Sequence, residues 1–175
     1  VMFMSHTIAA VSTGNQVSAI GIIRLSGESC VAVADKVFTL NNQKSLLDAS
    51  DRRLYLGTLH DKQGRVIDQC MAVVSRGPHS YTGEDTAELQ CHGSPVVLRT
   101  VLDELFRLGA RHARPGEFTK RAFLNNRMEL TAAEAVADLI DAESIDYAKN
   151  AAGQLSGAVS RRIDGIYSAL TDVSS

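Results

Sequence analysis

The chain has 175 residues, 45% hydrophobic and 22% charged, with no Trp. It is too apolar for a disordered tail, too short for two ordinary domains, and long enough for one filled core with a small appendage. Its 18 basic and 20 acidic side chains, net −2, argue against a protein whose main task is holding bulk nucleic acid.

In chain order, Thr7–Val11 and Ala19–Leu25 read as strands flanking a turn at Thr13–Asn15. Ser26-Gly27 opens a helix expected to run to about Phe38, with Val31, Ala34 and Phe38 at helical spacing. Asn41–Ser50 is polar and reads as loop. Leu54–Leu59 and Val66–Val74 are strand-like, with a hairpin turn at Asp61-Lys62-Gln63-Gly64. A polar loop at Ser80–Asp85 precedes a strand at Thr86–His92. Ser94-Pro95 starts a helix, hydroxyl cap first and proline at the first helical position, which Gly109 stops. An extended piece near Ala110–Ala113 and a short helix through Phe118, Ala122 and Phe123 follow. Strands and helices alternate to about residue 125, which predicts a mixed α/β layer.

The remainder changes character. Thr131-Ala132-Ala133-Glu134 reads as a capping box. From there to Leu170 there is no proline, and Ile145, Ala148, Ala152, Leu155, Val159, Ile163, Ile166, Leu170 and Val173 step by threes and fours. Such a seam needs a packing partner that the 175 residues do not supply, so the chain reads as a piece of a longer one. Residues 131–175 carry seven acids and three bases, net −4, leaving +2 on residues 1–130. No run approaches the roughly 18 apolar residues of a membrane span, and Val1–Ala10 lacks a basic start before an apolar block. Both features argue against membrane insertion and secretion. Three cysteines without a CxxC indicate a reduced, cytosolic compartment.

Few residues are placed for chemistry. In Thr86–His92 the period of two puts Cys91 and His92 on opposite faces, so they cannot pair as nucleophile and base. A cysteine enzyme would need His6, His60, His79 or His112, and a buried, inert Cys91 is the simpler reading. Glu88 lies on the polar face of that strand, where solvation alone could explain it. Arg24 sits in a strand apolar on both faces, so it must meet an acid or an anionic ligand. Neither GxGxxG nor GxxxxGK[ST] occurs, and no HExxH or paired Cys/His spacing predicts a metal. Arg111, His112, Arg114, Lys120, Arg121 and Arg127 form a basic stretch, read mainly as a solvated face. Tyr55, Tyr81, Phe118 and Phe123 are too scattered for a single-strand stacking platform.

Longer motifs stand in a definite order: Gly21-Ile22-Ile23-Arg24-Leu25-Ser26-Gly27, Ser80-Tyr81-Thr82-Gly83-Glu84-Asp85, Cys91-His92-Gly93, the run from Arg114 to Asn125, and Leu130 to Ile140. From about Thr7 to Leu170 the chain closely resembles the N-terminal part of the MnmE (TrmE) family of bacterial tRNA-modification GTPases. The resemblance implies an α+β fold: a mixed-sheet α/β domain at 4–127, similar to the folate-binding domain of aminomethyltransferase, and the first helices of a helical domain at 128–175. It implies binding of a one-carbon tetrahydrofolate, in the 5-formyl or methylene form, through Arg24, Glu88 and Arg127, and homodimerisation. It names no catalytic residue. GTP, Mg and K would belong to a GTPase domain outside these residues, so this stretch alone should not hydrolyse GTP. A flavin-dependent partner of the MnmG (GidA) type would join in building an aminomethyl-type group on C5 of wobble uridine in certain tRNAs, in the cytoplasm. Two other functions remain open: a stand-alone folate-dependent aminomethyl or methyl transferase, and a purely structural dimerisation domain.

Overall fold

A computed structural model describes residues 6–42 and 44–157. The described residues fall into two compact units, Val1–Phe118 and Thr119–Ser175.

In the first unit seven strands form one sheet among the described residues: β1 (Ile8–Val11), β2 (Ser18–Ser26), β3 (Phe38–Leu40), β4 (Leu54–His60), β5 (Val66–Ser75), β6 (Thr86–Gly93) and β7 (Arg111–His112). Their spatial order is β3-β4-β5-β6-β2-β1-β7. The β1–β7 pairing is parallel and the other strand pairings are antiparallel, so the sheet is mixed, as the alternation of elements predicts. Helices α1 (Cys30–Asp35) and α2 (Pro95–Arg107) pack on the central strands. On that inner face Ile23, Leu25, Ala72, Val74, Leu89 and Cys91 join Val31, Leu98, Val101 and Leu105 in one buried cluster.

Turn chemistry explains most of the connections. Asp61 Oδ1 accepts from the amides of Gln63 and Arg65, both at 2.9 Å, which folds the expected hairpin between β4 and β5. Pro95 begins α2 one residue after Ser94. The end of α2 is a Schellman motif: Ala110 N–H donates to Leu105 O, Gly109 N–H donates to Phe106 O, and Gly109 takes φ +105°. At the other end of that region, Gly93 opposes the bulged start of β2. A Cβ there would lie 2.3 Å from the Ser18 carbonyl oxygen, so the Cys91-His92-Gly93 motif needs its glycine for close backbone approach.

Four local expectations are corrected. The helix after Ser26-Gly27 ends at Asp35, because Phe38–Leu40 pairs with β4 as an edge strand (Phe38 opposite Leu59). The β-branched and aromatic residues there take sheet pairing over helical spacing. Asn41–Ser50 holds a short 3-10 turn at Leu46–Asp48, anchored by Asp35 Oδ1, which accepts from Ser45 Oγ and the Leu46 amide. Ser94 occupies the cap position of α2, but its hydroxyl makes no capping bond. The capping box at Thr131–Glu134 does not form either. Helix α4 (Leu130–Ile140) begins two residues earlier than that box requires, with Glu129 at the cap and no side-chain capping bond, so Thr131 is already inside the helix.

The second unit also contains most of α3 (Glu117–Leu124) and a helical stretch over 145–157. Along that stretch Ala151 is buried, Ala148 and Leu155 are half-buried, and Ile145 and Ala152 are exposed. The apolar stripe therefore runs through Ala148, Ala151 and Leu155, a rotation from the expected seam. Val159, Ile163, Ile166, Leu170 and Val173 lie outside the described residues.

Candidate functional site

The sheet face opposite α1 and α2 is the open one. On β2 the inner residues Gly21, Ile23 and Leu25 are buried, while Ile20, Ile22 and Arg24 alternate with them on the outer face. Ile20 is 58% exposed and Leu56, on the outer face of β4, is 47% exposed. The sequence reading placed Arg24 in a strand apolar on both faces. That pattern is correct, and among the described residues its inner face is buried while Ile20, Ile22 and Arg24 stay partly exposed.

Arg24 finds its acid directly across the ladder. The β2–β6 register sets Arg24 opposite Glu88. Arg24 Nε donates to Glu88 Oε1 at 2.8 Å, and Nη2 lies 2.7 Å from the same oxygen. Oε2 has no partner among the described residues. Both side chains keep about a quarter of their surface in solvent, so the pair itself contributes little stability. The guanidinium carbon lies 5.5 Å from the Tyr81 ring centroid and 5.8 Å from that of Phe118, within cation–π range. An ion pair with one carboxylate oxygen unused among the described residues, and two aromatic rings near its guanidinium, can accept a donor and stack a flat ring.

Of the three residues implied by the family resemblance, Arg24 and Glu88 are thus in contact. Arg127 belongs to the second unit, exposed, just after α3. There its amide donates to Ala122 O at 2.8 Å, and Asn126 takes φ 57°. In the sequence Tyr81 and Phe118 stand only as scattered aromatics. Their gathering on Arg24 depends on contacts across the chain that no local pattern reports. The one local signal is an aromatic residue, Tyr81, set in a run of small and acidic residues, Ser80–Asp85.

A second polar pair lies on the same open face, where Ile20 is opposite His92. The His92 amide donates to Asp68 Oδ2 at 2.9 Å, and His92 Nδ1 lies 2.7 Å from Oδ1. The basic stretch is only partly a solvated face. Arg111 is forked onto Glu117, which raises the Arg111 pKa, and Arg121 is buried. Concave surfaces occur elsewhere: one cleft of about 470 Å3 is lined by Phe123, Leu124, Asn126, Met128, Glu129 and Leu130. It lies wholly in the second unit and offers one carboxylate and no cation. The Arg24–Glu88 face instead gathers a carboxylate, a guanidinium and two aromatic rings.

The cysteines are packing residues. Cys30, Cys70 and Cys91 are all buried and free. Burial, with a smaller push from Asp85, raises the Cys30 thiol to about 12, and contact with Cys91 together with burial raises Cys70. At pH 8 a thiol of that pKa is thiolate to only about one part in ten thousand. The native protein is therefore expected to react with an aromatic disulfide reagent far more slowly than the denatured chain, which should yield three equivalents. Rapid labelling of the native protein would contradict this packing.

The architecture defines the class: an α+β module, one mixed sheet with helices on a single face, followed by a helical unit. The family described as the N-terminus of the GTP-binding protein TrmE matches residues 7–127. The tRNA modification GTPase MnmE of Caldicellulosiruptor saccharolyticus is 47% identical over 160 residues, 91% of this chain and 35% of that protein. The MnmE proteins of Lysinibacillus sphaericus and Syntrophus aciditrophicus are 46% and 43% identical, over 95% and 97% of this chain. This chain belongs to the MnmE (TrmE) family of tRNA-modification GTPases and corresponds to its N-terminal region. It spans little more than a third of the length of these curated relatives.

Proposed function

We propose that this chain is the tetrahydrofolate-binding and homodimerising module of a tRNA-modification GTPase. The observation that carries the reading is the Arg24–Glu88 pair on the outer sheet face, with the Tyr81 and Phe118 ring centroids 5.5 and 5.8 Å from the Arg24 guanidinium carbon. A pterin presents adjacent N–H donors, which suit a carboxylate, and the folate tail carries carboxylates, which suit a guanidinium fork. Glu88 offers Oε2 at once. Accepting two donors requires Arg24 to release Oε1, which frees its guanidinium for a ligand carboxylate. Arg127 would supply a further cation from the segment that closes the family match at residue 127. When bound, a 5-formyl or methylene tetrahydrofolate supplies a one-carbon unit; the chain's own residues bind and orient it.

The domain division that goes with this reading is 4–127 for the folate module and 128–175 for the start of the helical part. Dimerisation draws support from the apolar residues left on the open sheet face, Ile20, Leu54 and Leu56. Sedimentation that shows only monomer at micromolar concentration would overturn it. For the whole protein, the reading extends to GTP with Mg and K, a tRNA substrate, a flavin-dependent MnmG-type partner and a cytoplasmic location. Among the described residues no helix is long and apolar enough to cross a membrane.

Calorimetric titration with 5-formyl-tetrahydrofolate tests the core of the proposal. Saturable binding supports it, and absence of heat with a properly folded chain favours the purely structural dimerisation module. The 175 residues contain no phosphate-cradling loop with its lysine and metal-binding hydroxyl. Purified, they are expected to release no phosphate from GTP above background, and turnover by contaminant-free chain would contradict that.

A further inference from the structure

We infer that Tyr81 contacts the ligand at the Arg24–Glu88 site, as the stacking surface for the flat heterocycle whose donors Glu88 accepts. The inference rests on the folate reading above and adds to it a contact residue and the device that holds it. Tyr81 is 40% exposed, with its ring 5.5 Å from the Arg24 guanidinium carbon. It sits in a loop built with unusual care. Ser26 and Thr82 are fully buried, and Ser80 is nearly so.

Several hydrogen bonds hold the loop. Ser26 Oγ donates its one hydrogen to Glu84 Oε2 at 2.7 Å. The 2.7 Å contact between Ser26 Oγ and Thr82 Oγ1 must then be donated by Thr82. The Glu84 amide returns a bond to Thr82 Oγ1 at 3.3 Å, closing a ring of three side chains. Ser80 Oγ donates to the Glu84 carbonyl. Asp85 ties the base of the loop, accepting from the Gly77 amide at 2.9 Å and facing Arg76. A fully satisfied buried polar network fixes geometry more firmly than apolar packing would. The Ser80–Asp85 loop, held by this network, carries the half-exposed Tyr81 ring beside Arg24.

The test titrates 5-formyl-tetrahydrofolate into wild type, Tyr81→Phe, Tyr81→Leu and Thr82→Val, with a denaturant melt on each. Tyr81→Phe should bind within about twofold of wild type, because it keeps the ring. Tyr81→Leu keeps apolar bulk without a π face and should bind about five- to a hundredfold more weakly. Thr82→Val removes the donor to Ser26 and should weaken binding although Tyr81 is present. Unchanged affinity in Tyr81→Leu, with wild-type binding intact, overturns the stacking role and leaves the folate reading standing. No binding by wild type overturns both. If Tyr81→Phe loses affinity as fully as Tyr81→Leu, the hydroxyl rather than the ring is the contact, and the inference fails.

Discussion

Replacing Glu88 by glutamine is expected to weaken binding of a one-carbon tetrahydrofolate by about ten- to a hundredfold while leaving the fold nearly unchanged. The amide keeps one acceptor but turns an N–H toward a ligand edge that also presents N–H. The lost charge-assisted hydrogen bond is worth about 1.5–3 kcal/mol, which sets that range. Folding is affected less, because the Arg24–Glu88 pair is partly solvated and such pairs contribute about 0–1 kcal/mol. Arg24→Ala should also lower affinity. It differs from Glu88→Gln in leaving Glu88 without its cation and in removing the guanidinium that lies near both Tyr81 and Phe118. Titration and melt on the same preparation separate the two effects. Wild-type affinity in Glu88→Gln, with a normal melt, would reduce Glu88 to the ion-pair partner already visible in the sheet.

Leu89→Ala is expected to do the reverse. Leu89 is the next residue on β6, 0% exposed, set opposite Ile23 on one side and Ala72 on the other. Truncating a fully buried leucine costs about 2–5 kcal/mol through lost transfer energy and the cavity left behind. A domain of this size has only about 5–15 kcal/mol to lose. The denaturant midpoint should fall sharply at unchanged slope, while molecules that remain folded bind folate as wild type does. A loss below about 1 kcal/mol would mean that the inner face is looser than its burial indicates. Neighbouring residues on one strand thus divide their labour by face, Leu89 inward for stability and Glu88 outward for chemistry.

That division was legible in the strand itself: alternation in Thr86–His92 assigns Glu88 to the polar face and Leu89 and Cys91 to the core. Turn positions were legible for the same local reasons, at Asp61, Pro95 and Gly109. The partnership of Arg24 with Glu88 was not. The need for an acid could be argued from the cost of burying a guanidinium, but its identity depends on the β2–β6 register across 64 positions. Caps were read less well than turns. A hydroxyl followed three residues later by a carboxylate fits a capping box, yet α4 begins at Leu130 and draws Thr131 into its first turn. The helical reading through Phe38 failed because edge pairing with β4 is a tertiary gain that spacing along one segment cannot register.

We propose that the sheet face around Arg24 and Glu88 receives a one-carbon folate. Amide NMR of the isotope-labelled chain during titration with 5-formyl-tetrahydrofolate tests it most directly. Saturable shift changes are expected on the outer-face positions of β2 and β6 and in the Ser80–Asp85 loop, with smaller changes along the inner-face helix α2. Saturable changes confined to the Phe123–Leu130 cleft, or no changes at millimolar ligand, would contradict it.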